Sequence, residues 1–353
     1  VSSGNTDNLI GKALGDYVIK RLIAKGGMGR VYEAEDRQLG RRVAIKIITL
    51  GEDAAEDLVQ RFEREARVIS QLDAHPNIVT IYRYGREAGV TYFAMQYVDG
   101  DSLSTYIQTL QDANKYMDSG EVIHILRQVA AALDHAHAQG IIHRDVKPAN
   151  IMLQPDPSLR PIPKRAILMD FGLVMSIDNT MTAGTAFGTP RYIAPEQAIS
   201  SAQACPQSDV YSLGVVSYEM LTGKPPFDDD DTPISVALSH VTKEPPSPRV
   251  HRPDLPPAVE PVMKKVLEKK PVDRYQSASE FVSALEVSLL GEAFTGKIPV
   301  ASRAKAPVPS KKVQAEPLTM PGGVFPVEGE TRRDHMLPSL VLATVFIALA
   351  VVI

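Results

Sequence analysis

The octapeptide His143-Arg144-Asp145-Val146-Lys147-Pro148-Ala149-Asn150, followed by Asp170-Phe171-Gly172, constrains this chain more than any other feature. It sets an aspartate, a lysine, an asparagine and a second aspartate in an order suited to moving a phosphoryl group. Asp145 would accept or orient the proton of an attacking hydroxyl, and Lys147 would neutralise charge on the group in flight. Asn150 and Asp170 supply hard oxygen donors of the kind Mg²⁺ prefers. Each of these residues alone reads as part of a surface turn. Their joint order makes chance a poor explanation.

Other segments gain meaning beside this pair of motifs. Ala24-Lys25-Gly26-Gly27-Met28-Gly29-Arg30-Val31 lies between two expected strands, where glycine lets a backbone close over phosphates and offer N–H groups to them. A glycine cluster by itself is more often a plain hairpin. Val43-Ala44-Ile45-Lys46 on the next strand shifts the balance, because a lysine on a buried strand needs a negative partner. Downstream, Ala194-Pro195-Glu196 closes a stretch that opens at Asp170 and carries Thr180, Thr182, Thr185 and Thr189. Arg144, directly before Asp145, offers a guanidinium that could receive a phosphate on that stretch.

With these motifs in order, the stretch from about residue 17 to residue 290 resembles the Hanks-type, eukaryotic-like serine/threonine protein kinases of bacteria. The resemblance implies an α+β, bilobal protein-kinase fold. Its N-lobe, about 17–98, would be a small antiparallel sheet with one main helix; its C-lobe, about 99–290, would be larger and mostly helical. The implied reaction transfers the γ-phosphoryl group of ATP to Ser or Thr of proteins, with Mg²⁺ as cofactor and Mn²⁺ as an alternative. Lys147, two residues after the catalytic aspartate, is the serine/threonine pattern. Two other readings compete: a nucleotide-binding pseudokinase scaffold, and a small-molecule phosphotransferase on the same fold.

Residue roles follow from the same resemblance. Ile23, Ala24, Gly26, Gly27, Gly29 and Val31 would form the phosphate-covering loop, and Val31, Ala44 and Met152 would sandwich the adenine. Met95 would be the gatekeeper, with the hinge running on to Val98. Lys46 would pair with Glu65 and the α/β-phosphates. Asp145 and Lys147 would be catalytic, and Asn150 and Asp170 the metal ligands. Arg144, Thr180, Thr182 and Thr185 would be regulatory, whereas Thr189 would contact Asp145 and Lys147. Glu196 would pair with Arg274, and Asp209 would brace the catalytic loop. One departure stands out: the family's first loop glycine is Ala24 here. Alanine tolerates positive φ poorly, so a change in loop geometry is expected.

Hydrophobic periodicity orders the rest. Residues 1–16 are polar and read as a flexible leader; strand-like runs follow over 17–48, then a helix over 56–72 and strands over 78–84 and 91–97. From residue 102 the chain reads as mainly helical. Val122, Ile125, Leu126, Val129, Ala130 and Leu133 form one stripe at the 3.6 period. Residues 210–221 are apolar on most faces and end at Gly223, a helix-terminating glycine. Helices are expected over 259–268 and 278–290. His135 and His137, two apart, face different sides of a helix and argue against a shared metal. The acidic run 228–231 reads as a solvated loop.

Composition sets outer bounds. The net charge of −4 over 353 residues gives no case for nucleic-acid binding. The single cysteine, Cys205, excludes an intramolecular disulfide framework. Residues 291–336 are Pro-rich and aperiodic, and are expected to form a disordered juxtamembrane linker. Residues 337–353 carry no charge. They would span about 25 Å as a helix, somewhat short of the ~30 Å hydrocarbon core. The expectation is a transmembrane segment that continues past the given sequence. Arg332 and Arg333 would mark its cytoplasmic flank, giving a single-pass protein of the cell membrane with a cytoplasmic catalytic domain. Expected partners are Ser/Thr-bearing protein substrates, a second copy acting in trans through a transient dimer, and membrane lipid around the C-terminal helix.

Overall fold

Side-chain alternation along β-strands organises the first hundred residues. The computed structural model describes residues 9–26, 29–48, 72–87, 90–171, 190–228 and 232–291. Strands β1 (Ala13–Leu14), β2 (Tyr17–Gly26), β3 (Gly29–Asp36), β4 (Arg41–Ile48), β5 (Ile81–Glu87) and β6 (Val90–Gln96) form one antiparallel sheet in the order β1-β2-β3-β4-β6-β5. Val43, Ile45 and Ile47 of β4 point to one face, with Tyr32 and Ala34 of β3 and Tyr92 and Ala94 of β6. Period two then sends Ala44 and Lys46 to the opposite face, where their partners across the ladder are Met95 and Phe93. The apolar face thus fixes the register, and the register aims the functional residues.

Residues 9–16 correct the expectation of a flexible leader. Gly15 turns with φ +57°, Leu14 buries to 3% exposure, and β1 pairs with β2 through Ala13↔Val18 and Leu14↔Tyr17. A two-residue Gly-Asp turn matches the twist of a hairpin, which is why so short a strand holds. Asp16 in that turn is tied to Arg83 of β5 at 3.0 Å.

The larger part is helical, built on α1 (Leu103–Asp112), α2 (Ser119–His137), α3 (Pro195–Ile199), α4 (Pro206–Thr222), α5 (Pro233–Thr242), α6 (Val259–Val266) and α7 (Ala278–Leu290). Asp118 caps α2 by accepting from Gly120 and Glu121, and the α2 stripe from Val122 to Leu133 is buried in the main core. Helix α4 is buried on nearly every face and ends at Gly223 with φ +86°. Its Gly214 has no room for a side chain, since a Cβ there would stand 2.8 Å from Val266.

One element escaped the reading of a helical second half. Strands β7 (Asp101–Ser102), β8 (Ile151–Pro155) and β9 (Lys164–Leu168) form a second antiparallel sheet, with the His143–Asn150 stretch leading into β8 and Asp170 following β9. Val79 N–H donates to the Leu168 carbonyl, and Leu168 N–H to that of Asn77, so this sheet is stitched to the segment leading into β5. The expected helix over 56–72 lies outside the described residues, apart from its last residue. So do residues 292–353. Among the described residues no helix is long and apolar enough to cross a membrane.

Candidate active site

Residues 141–147 take no regular secondary structure, so their backbone needs partners from elsewhere. Asp209, fully buried near the start of α4, supplies them: its carboxylate accepts from His143 N at 2.8 Å and Arg144 N at 2.7 Å. His137, at the end of α2, places Nε2 2.7 Å from the same carboxylate. Arg144 adopts φ +67°, a conformation side chains rarely take, and this grip is what holds it there. The Arg144 carbonyl accepts in turn from Gln197 of α3.

His143 is fully buried and uses both ring nitrogens. Nδ1 accepts from Asp145 N at 3.2 Å, so Nε2 carries the proton and donates to the Met169 carbonyl at 2.8 Å. Its ring packs against Phe171 at 4.7 Å between centroids. One histidine therefore fastens the segment before Asp145 to the segment before Asp170.

Around Asp145 the polar contacts converge. Lys147 Nζ stands 2.8 Å from Asp145 Oδ2, and Asn150 Nδ2 donates both to that oxygen and to the Asp145 carbonyl at 2.9 Å. Asn150 thereby spends its amide N–H groups on Asp145 and keeps its side-chain oxygen for another ligand. The Asn150 carbonyl accepts from Met169 N at 2.8 Å, which brings Asp170 alongside. Asp170 sits at φ +51°, and its Oδ2 lies 2.8 Å from Nζ of Lys46, which is 8% exposed. The negative partner expected for the strand lysine is therefore Asp170 among the described residues; Glu65 lies outside them.

An apolar cluster completes the cleft. Ala44, Met95 and Val98 pack with Val79 and Ile167, and Val31, Met152, Tyr97 and Met169 close around them. This gathers Val31, Ala44, Met95, Val98 and Met152 in one place, although they come from β3, β4, β6, β8 and the connector after β6. Val79, Ile167 and Met169 went unnoticed in the sequence. The apolar run from Ala166 to Met169, directly before Asp170, was the available signal for two of them. Gly26 and Gly29 close the β2–β3 hairpin opposite one another, and Ile23 is 42% exposed on β2. Ala24 pairs with Val31 beside a register shift of the β2–β3 ladder but without positive φ, so the departure from glycine places no alanine in the left-handed region. Gly27 lies outside the described residues, as do Gly172, Thr180, Thr182, Thr185 and Thr189.

Supporting contacts surround this centre. Glu196 and Arg274 form a buried bidentate pair, both Nη atoms at 2.8 Å. Tyr192 Oη donates to Glu219 at 2.6 Å, and Arg191 pairs with Asp228 at 2.9 Å, so the first residue of the acidic run is engaged. His135 bonds to the Asp73 carbonyl rather than sharing a site with His137. Among the described residues no group of His, Cys, Asp and Glu gathers into an all-protein metal centre. A cation bound by Asn150 and Asp170 would need oxygens from a substrate, as Mg²⁺ commonly does.

Proteins of known structure share this fold. The family model of the protein kinase domain matches residues 17–284. Serine/threonine-protein kinase PrkC of Bacillus subtilis is 38% identical over 283 residues, covering 79% of this chain and 42% of PrkC. Serine/threonine-protein kinase PknA of Mycobacterium tuberculosis is 39% identical over 278 residues, covering 77% of this chain and 61% of PknA. The chain thus spans about half the length of these curated relatives. The crystal structure of the Mycobacterium tuberculosis PknI kinase domain superposes with a TM-score of 0.62 at 29% identity, covering 79% of this chain and 98% of that one.

Proposed function

This chain belongs to the protein kinase domain family, and on that premise we propose that it transfers the γ-phosphoryl group of ATP to Ser and Thr hydroxyls of proteins. The observation that carries the proposal is the single polar unit in which Lys147 and Asn150 hold the Asp145 carboxylate beside the Lys46–Asp170 pair. Asp145 accepts or orients the proton of the acceptor hydroxyl. Lys147 shares charge with the group being transferred, and its own contact with Asp145 keeps both in register. Lys46, aimed by the β4 register and held by Asp170, binds the α/β-phosphates. The apolar cluster from Val31 to Met152 receives adenine, and Gly26, Gly27 and Gly29 offer close backbone approach to the phosphates.

Asn150 and Asp170 fit an ATP-bound Mg²⁺ in chemistry, one offering an amide oxygen and the other a carboxylate. When bound, the ion would neutralise charge on the β/γ-phosphates. The test is incubation with labelled ATP and Mg²⁺, followed by mapping of phosphorylated residues on this chain and on a generic protein acceptor. Transfer to Ser or Thr supports the reading, and absence of transfer from a nucleotide-binding preparation refutes it.

The proposal extends to location and activation. The uncharged run 337–353, preceded by Arg332 and Arg333, supports a membrane anchor with the catalytic part on the cytoplasmic side. Anchoring concentrates copies in two dimensions and favours phosphorylation in trans within a transient dimer. A chain ending at Arg303 should stay soluble and active, whereas one containing the run and its natural continuation should resist carbonate extraction from membranes. Release of the latter by carbonate refutes the anchor.

A further inference from the structure

The connector that follows β6 is tied to the sheet above it by one phenol. Tyr97 comes directly after Gln96, the last residue of β6, and its ring packs on the cluster containing Ala44 and Val98. Its hydroxyl accepts from Arg21 Nη2 of β2 at 3.1 Å. The same nitrogen lies 2.7 Å from Glu33 Oε2, and Glu33 is the register partner of Arg21 on β3. From β4, Arg42 sets its guanidinium 4.6 Å from the Tyr97 ring centroid while reaching Asp99 at 3.2 Å. One side chain of the connector thus receives a guanidinium from each of two strands.

Those two strands carry the residues that cover the nucleotide cleft. Ile23 and Ala24 follow Arg21 closely on β2, and Ala44 stands two residues after Arg42 on β4. The β2–β3 ladder is interrupted by register shifts on both sides of Arg21, between Ile19 and Arg21 and again between Leu22 and Ala24. Backbone pairing therefore holds this part of β2 less firmly than a continuous ladder would. A side-chain tie between the two shifts is well placed to set its height.

We propose that Tyr97 is a positioning residue for the nucleotide: through Arg21 it sets how far the β2–β3 roof stands from the connector, and so sets affinity for adenine nucleotides. The inference rests on the kinase reading and adds to it a residue whose side chain acts through the roof. The tie joins Arg21, Glu33 and Tyr97, whereas Asp145 bonds with Lys147, Asn150 and His143, so the tie is expected to act on binding and not on the transfer step.

The experiment uses the full chain with Tyr97→Phe, Arg21→Ala, Arg21→Lys and the Tyr97→Phe/Arg21→Ala double variant. Each is measured for ADP affinity by direct binding, for KM and kcat with ATP, for KM of the acceptor protein and for thermal stability. Tyr97→Phe keeps the ring under Arg42 and loses only the hydroxyl. It should weaken ADP binding and raise KM for ATP by about two- to fivefold, the range expected for a single exposed charged hydrogen bond. Its kcat, acceptor KM and melting temperature should match wild type. The double variant should bind no more weakly than Arg21→Ala, and Arg21→Lys should recover part of the loss. Unchanged nucleotide affinity in Tyr97→Phe, additive losses in the double variant, or a parallel fall of kcat and stability would each overturn the proposal. A wild-type chain that binds no nucleotide would overturn the kinase reading with it; a wild type that binds and turns over while Tyr97→Phe behaves identically would sink this inference alone.

Discussion

Arg274 and Glu196 meet as a buried fork, with Nη1 2.8 Å from Oε1 and Nη2 2.8 Å from Oε2. Every remaining guanidinium N–H is also used, on the carbonyls of Gln207, Glu268 and Lys269, and Ser208 adds a hydroxyl to Glu196 Oε1. Burial pushes the Glu196 carboxyl up, but the hydrogen bonds from Arg274 and Ser208 outweigh it and hold the group below its ordinary value. The pair fastens the end of the segment leading from Asp170 to the base of α4.

Breaking that fork should be costly. Arg274→Met leaves Glu196 buried without its counter-charge, and a loss of about 3–5 kcal/mol is expected for an unpaired buried charge. Urea unfolding of a chain ending at Arg303 measures it directly. Glu196→Gln keeps a hydrogen-bond acceptor and should cost less than Arg274→Met. Equal midpoints for wild type and Arg274→Met would show the pair to be energetically neutral.

Two buried groups should give stability opposing pH dependences, both between about pH 4 and 7. Burial pushes Glu219 up to about 7, with the Tyr192 hydroxyl and Arg191 pulling it down and Asp228 adding to the rise. The folded chain therefore keeps a proton that the unfolded chain releases from about pH 4.5, and stability declines as pH rises from there to about 7. Burial lowers His240 to about 4, with the Arg191 carbonyl opposing and Lys269 reinforcing. Its neutral ring, held by Tyr211 and that carbonyl, forfeits stability as pH falls from about 6.5 to 4. Glu219→Gln should flatten the limb between about pH 4.5 and 7 and raise stability at pH 8 relative to wild type, as read by denaturant titration at several pH values. An unchanged profile would assign the limb to other groups.

Asp145→Asn should separate binding from transfer. The amide can still accept from Lys147 and Asn150, so the loop keeps its shape, but it cannot take a proton. Turnover should drop by about 10²- to 10⁴-fold while nucleotide affinity stays near wild type. Lys46→Met should stay folded and lose almost all turnover, because it deletes the charge that Asp170 and the phosphates share. More than half of wild-type turnover in Asp145→Asn would remove that residue from the reaction.

Arg144 is held at positive φ directly before Asp145, and among the described residues its buried Nε has no partner. A phosphate on the segment between Asp170 and Glu196 would bring about −1.5 to −2 charge and strong acceptors to it. Autophosphorylation at Thr180, Thr182 or Thr185 is the expected source, at a rate rising with enzyme concentration. Changing all three to Ala should slow transfer to an external acceptor and leave ATP binding intact. Wild-type rates in that variant, or no phosphate on the segment in an active preparation by mass spectrometry, would refute the switch.

The sequence by itself determined the local chemistry. Short-range patterns such as Asp145-x-Lys147, Val43 to Lys46, the α2 stripe and Gly223 depend on rules of spacing, alternation and capping that act within one element, so they survive being read without neighbours. The family resemblance added pairings such as Glu196 with Arg274 that no residue type announces alone. Only the tertiary structure decided the rest. Lys46 finds Asp170 124 positions along the chain, Val79, Ile167 and Met169 join the apolar cluster, and His143 fastens the segment before Asp145 to the one before Asp170. A second sheet within the helical part, the β1 hairpin, and the Arg21–Tyr97 tie likewise rest on contacts between distant segments. Whether a carboxylate such as Glu219 ends near pH 7 depends on what surrounds it after packing. Burial and long-range partners are properties of the folded chain, and a linear order of residues carries no distance between them.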